Sequence, residues 1–133
     1  MSIKTISAGL KATLDIEGLR VYAPDELPDS PDVPCALPLM AATEYDRTFD
    51  ASHDLHIRLL ILLAKQDSPS AFNKIIDYIE PTGDSSILAK LQADTTLSSS
   101  CDTLIVERNT GIGATNWGGI GYLSTEFEIT IYF

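Results

Sequence analysis

Along residues 122–133 hydrophobic and polar positions alternate, with Leu123, Phe127, Ile129, Ile131 and Phe133 on one side and Ser124, Glu126, Glu128, Thr130 and Tyr132 on the other. A period of two built from β-branched and aromatic residues predicts a half-buried strand. The alternation runs to the last residue, so the C-terminus is expected to be pinned into a sheet rather than frayed. Residues 54–64 carry a second strong pattern: Leu55, Ile57, Leu59, Ile61 and Leu63 share a face, while the other face begins His56, Arg58 and turns apolar at Leu60 and Leu62. One end of that strand should be covered on both sides. Arg58 is expected to pair with a neighbouring carboxylate.

The helical pattern appears three times. Ser2 can cap a helix whose Ile3, Ile6, Leu10 and Leu14 form one stripe, with Gly18 placed to close it. Ser68-Pro69 starts a second, carrying Phe72, Ile75, Ile76 and Ile79 until Pro81 ends it. Asp84 or Ser85 is placed to cap a third, with Ile87, Leu88 and Leu91 inward, followed by a polar turn over residues 98–100.

Between these lie weaker strands and loops. Residues 20–23 read as a short strand, and 25–32, with Pro28 and Pro31 among several acids, as an exposed loop. Val33, Cys35, Leu37 and Leu39 alternate as a strand, but Pro34 and Pro38 cannot donate ladder hydrogen bonds, which makes it an edge or bulged strand. Residues 41–53 look like a long hairpin tip holding Tyr45, Arg47 and Phe49, residues 103–108 like a strand, and 109–121 like a glycine-rich loop. Helix, three strands, two helices, two strands is the order of an α+β domain. A mixed, mostly antiparallel sheet with helices packed on one face is expected, as one domain over residues 1–133.

Composition narrows the function classes. A chain of 133 residues with 44% hydrophobic and 21% charged residues can bury a proper core. Its longest apolar run, residues 59–64, is too short to span a bilayer, and residues 1–5 lack the pattern of an export signal, so no membrane role and folding in a cytoplasm are expected. The net charge of −10 argues against gripping nucleic acid, though it leaves room for a protein past which DNA must slide.

Candidate chemistry is thin. Cys35 and Cys101 read as buried thiols, and a zinc site would need them to converge with His53 and His56 without any recognised ligand spacing. Gly111-Ile112-Gly113 begins like a dinucleotide fingerprint, but the third glycine is replaced and a strand rather than a helix follows. No G-x-S-x-G elbow is present, and Glu126 and Glu128 read as the solvated side of a strand. No enzyme, cofactor or metal is expected.

Several segments together resemble the tail terminator proteins of long-tailed bacteriophages. They are the opening helix running into Gly18-Leu19-Arg20-Val21-Tyr22, the Val33-Pro34-Cys35-Ala36-Leu37-Pro38 strand, the Tyr45-x-Arg47-x-Phe49 tip and the long 55–63 strand, then Gly83-Asp84-Ser85-Ser86-Ile87 and the closing Tyr122-Leu123-x-x-Glu126-Phe127-Glu128-Ile129-Thr130-Ile131. Each motif is unspecific, and their order over nearly the whole chain carries the likeness. The resemblance implies a virion part: a homo-oligomeric ring, usually six-membered, that caps the tail tube, stops its polymerisation and docks the head connector or stopper protein. DNA would pass its lumen without specific binding. Ring or tube contacts are then expected at Tyr45, Arg47, Phe49, Asn109, Trp117 and Tyr122, with Trp117 anchoring a glycine-rich loop that orders against a neighbour.

Overall fold

The computed structural model describes residues 2–45, 53–65 and 71–133. Helix α1 spans Ile3–Thr13 and begins in a capping box: the Ser2 hydroxyl accepts from the Thr5 N–H while the Thr5 hydroxyl accepts from the Ser2 N–H. It ends earlier than Gly18, at the cap residue Leu14, because Leu14 and Ile16 both turn into the core; Gly18 instead takes a positive φ of 81° in the turn before β1.

Strands β1 (Arg20–Val21), β2 (Cys35–Glu44), β3 (Asp54–Lys65), β4 (Thr103–Trp117) and β5 (Ile120–Tyr132) form one sheet in the order β1-β2-β3-β5-β4. β1 runs parallel to β2, and every other neighbouring pair is antiparallel. The protein is therefore α+β with a mixed, mostly antiparallel sheet.

β2 behaves as its prolines require. β1 covers only Cys35 and Ala36, so from Leu37 onward the outer side of β2 is an edge among the described residues, and a bulge falls between Met40 and Ala42. The strand also extends through residues 41–44, which the sequence assigns to a hairpin tip; their pairing with residues 54–56 overrides their polar composition.

The expected glycine-rich loop is a strand. Residues 109–117 continue β4 and pair with β5 down to Trp117 opposite Ile120, and the tight turn is Gly118-Gly119 alone. Both turn glycines have positive φ, 59° and 83°, the requirement of a two-residue primed hairpin turn. Bulges after Val106 and Asn109 take up the irregular composition, so glycine here marks kinks in a ladder rather than a break in it.

Helix α2 spans Ala71–Ile79 and α3 spans Ile87–Ala93. The α3 cap is Ser86, not Asp84 or Ser85. Its hydroxyl oxygen accepts from Ala89 N–H at 3.1 Å and donates to the Glu80 carbonyl, tying the start of α3 to the end of α2. On α2 the inward residues are Ile75 and Tyr78, while Ile76, expected inside, is 47% exposed. Residues 68 and 69, the expected start of this helix, lie outside the described residues.

The larger core joins Ile6 and Leu10 of α1, Ile75 and Tyr78 of α2, and Ile87 and Leu91 of α3 to Leu55, Ile57, Leu59, Ile61 and Leu63 of β3 and to Phe127, Ile129 and Ile131 of β5. The smaller one gathers Cys35, Leu37, Leu60, Leu62 and Tyr122, with Tyr22, Leu27, Val33 and Trp117 packed against it. β3 thus has one end covered on both sides, as its double run of leucines implies. The chain end is pinned: His53 and Phe133 exchange backbone hydrogen bonds of 2.7 and 3.0 Å.

Candidate assembly surfaces

The six residues expected at contacts have different fates. Tyr45, just past the end of β2, is 67% exposed, and its ring meets His53 edge-on at 5.7 Å. Arg47 and Phe49 lie outside the described residues. Asn109 sits at the second β4 bulge, where its amide nitrogen donates to Thr125 Oγ1 (2.8 Å) and the Glu126 carbonyl (3.0 Å) while its oxygen accepts from Gly111 N–H (2.9 Å). That side chain supplies the bonds the bulged backbone cannot make with its partner strand.

Trp117 and Tyr122 face the smaller core. Tyr122 is 4% exposed, and the half-buried Trp117 indole donates to the Pro28 carbonyl at 2.9 Å. The 25–32 loop is therefore held against the β4–β5 turn, so closely that a side chain on Gly118 would begin 2.5 Å from the Asp29 carbonyl oxygen. Within its own chain Trp117 thus anchors the 25–32 loop. Loop acids are partly neutralised too, Glu26 by Lys11 at 3.2 Å and Asp32 by Arg20 at 3.9 Å.

On the sheet face that carries His56 and Arg58, polar side chains cross-link the strands. Arg58 meets Glu126 at 2.7 Å, as expected of a cation on a half-covered strand, and Arg108 grips Glu128 through Nε at 2.8 Å. The Glu128 hydrogen bonds hold the Arg108 guanidinium above its ordinary pKa, and its Coulomb attraction adds to them. A groove of about 380 Å3 lies beside Arg58, between Leu39 and the 110–117 segment of β4. Its rim is stitched by Thr115 and Ser124, whose hydroxyls lie 2.7 Å apart. Glu126 and Glu128 are thus ion-paired rather than merely solvated.

The two cysteines and two histidines do not converge on one site. Cys35 lies opposite Leu62, six strand residues from His56, which is about 20 Å along β3. Cys101 belongs to the larger core and Cys35 to the smaller one, and both thiols are free. Burial pushes the Cys35 thiol up to about 11 and raises Cys101 as well.

Sequence reasoning missed the exposed apolar side chains at the two lateral margins of the sheet. Met40 on β2 is 45% exposed; at the opposite margin Ile105 and Ile112 of β4 and Ile76 of α2 are 47%, 40% and 47% exposed. Ile76, Ile79, Pro81 and Ile112 line one shallow groove between α2 and β4. No periodicity could have found it, because it joins residues on two elements that meet only in the fold. No protein-family model matches the chain, and no curated protein matches it.

Proposed function

We propose that the chain is a structural subunit of a phage tail, forming a ring that caps the tail tube, ends its polymerisation and joins it to the head connector. The observation that carries this reading is the order and spacing of the motifs from residue 18 to residue 131, which resemble those of tail terminators over nearly the whole chain.

Physical features are compatible with it. A closed ring needs a head-to-tail contact between two different surfaces of the subunit. Among the described residues, no strand pairs with the outer side of β2 from Leu37 onward or with the outer side of β4; these margins lie on opposite sides of the sheet, each with exposed apolar side chains. Tyr45 stands exposed at the end of β2, where a rigid strand can present it to a tube or a connector. With 19 acidic against 9 basic residues, the surface would let a duplex pass without holding it. The nearest alternative is a stopper protein of the same neck, one ring higher; from another class, a small enzyme or ligand-binding module would use the groove beside Arg58.

Mass determination of purified tails tests the reading. The subunit is expected in ring stoichiometry at the tube end that faces the head. A single copy, or recovery only with the capsid shell, overturns it. Imaging of the neck with an antibody to the chain separates terminator from stopper by its height on the axis.

A further inference from the structure

Where β2 ends and β3 begins, two carboxylates and one imidazole face one another. Glu44 is the last residue of β2 and Asp54 the first of β3, and they are directly opposed in the ladder. His56 lies two residues on, hence on the same sheet face as Asp54. One ligand atom from each of the three lies within 4.8 Å of the other two. Glu44 Oε2 is 3.4 Å from His56 Nε2. Around one tetrahedral ion with bonds of about 2.1 Å, donors sit about 3.4 Å apart, the separation that Glu44 Oε2 and His56 Nε2 already have. Closing the whole set takes a further shift of about 1 Å, and Glu44, whose side chain is 48% exposed, has the freedom to make it.

A separate contact aims the imidazole. The hydroxyl of Thr130 on β5, itself only 4% exposed, lies 3.2 Å from His56 Nδ1. When Nδ1 is the donor in this contact, the Nε2 lone pair is directed at the carboxylates, the arrangement in which a neighbouring strand orients a metal-bound histidine. Asp54 is 6% exposed, so the site is closed to solvent on the side of its carboxylate.

We propose that Glu44, Asp54 and His56 bind a divalent transition-metal ion, with zinc the tightest of the abundant candidates, and that the ion clamps the end of β2 to the start of β3. Two carboxylates with one imidazole suit zinc or manganese better than the all-oxygen set that calcium takes. The clamp does not depend on the tail reading, since it concerns the chain alone. If that reading holds, the ion would fix the direction in which the chain leaves the sheet at Tyr45.

The test is calorimetric titration of the chelator-treated full chain with zinc chloride, with manganese and calcium in parallel. One zinc per chain is expected, with calcium at least tenfold weaker. His56→Ala and Glu44→Gln should each weaken zinc at least tenfold, and Thr130→Val should do so by about tenfold through loss of orientation. His53→Ala should leave affinity unchanged. Lowering the pH from about 7.5 to about 5.5 should weaken binding at least tenfold, because a protonated imidazole has no lone pair to give. Circular dichroism of each variant checks that the fold persists. No heat and no shift in melting temperature at about 1 mM zinc overturns the proposal. So does zinc binding that survives both His56→Ala and Glu44→Gln in folded protein.

Discussion

The indole nitrogen of Trp117, at the end of β4, donates a hydrogen bond to the carbonyl of Pro28, 89 residues earlier, at 2.9 Å. This contact joins the β4–β5 turn to the loop over the smaller core and makes both part of the fold. Trp117→Ala is therefore expected to lower stability by about 2 to 3 kcal/mol, through lost burial and the lost bond. Trp117→Phe, which keeps most of the burial, should lose about 1 kcal/mol. Urea unfolding monitored by circular dichroism checks both. An alanine variant that unfolds with the parent would show that the indole contributes nothing within the chain.

Gly9 on α1 faces the carbonyl of Leu97 so closely that a Cβ would lie 2.6 Å from that oxygen and 2.9 Å from Ser100 Oγ. In an exposed helix, alanine in place of glycine stabilises by about 1 kcal/mol. Here Gly9→Ala should instead destabilise by about 1 to 3 kcal/mol, because the clash is with backbone that cannot rotate away. Leu97, Ser98 and Ser99 all hold positive φ (49°, 58° and 67°), a strained run tied down by the Asp94 carboxylate, which accepts from Ser98 N–H at 2.9 Å. Thermal melting decides, and a gain in melting temperature refutes the close approach.

Tyr78 is fully buried on α2, and its hydroxyl has no hydrogen-bond partner among the described residues. Burial raises its pKa, with the charge of Asp77 adding to the effect. A buried hydroxyl left unsatisfied costs about 1 to 3 kcal/mol, so Tyr78→Phe should be neutral or stabilising by up to about 1 kcal/mol. A loss above about 1 kcal/mol would mean that the hydroxyl is bonded in solution.

Cys35 supplies a pH dependence. Its thiol rises from 9.0 in the unfolded chain to about 11 in the fold, chiefly because burial disfavours the thiolate. A group whose folded pKa is raised lends stability that is complete below the unfolded value and is lost as pH climbs toward the folded one. Stability should therefore fall between pH 9 and about 11, and Cys35→Ala should flatten that part of the fall attributable to one proton. Denaturant midpoints measured across this window check it; equal slopes in both proteins would place the loss elsewhere.

Residues whose role depends on near neighbours were legible in the sequence. The alternations of 54–64 and 122–133, the α1 stripe with its Ser2 cap, and the edge character imposed by Pro38 all appear where local pattern put them, since periodicity and missing donors act within one element. Arg58 found its carboxylate for the same reason: a cation on a half-covered strand needs one nearby. What tertiary structure alone decided was pairing. Residues 109–117 are poor strand formers, yet they extend because β5 offers a continuous ladder beside them and Asn109 satisfies the bulge. The 41–44 segment joins β2 because Asp54 and His56 hold it in register. Ser86 rather than Ser85 caps α3 because only its hydroxyl also meets the Glu80 carbonyl. The metal-like trio of Glu44, Asp54 and His56 follows from that same register, in which residues ten and twelve positions apart along the chain become neighbours across one ladder step. Backbone hydrogen bonds between strands are cooperative and blind to side-chain type, so a partner strand can overrule local preference, and no reading of one segment contains that partner.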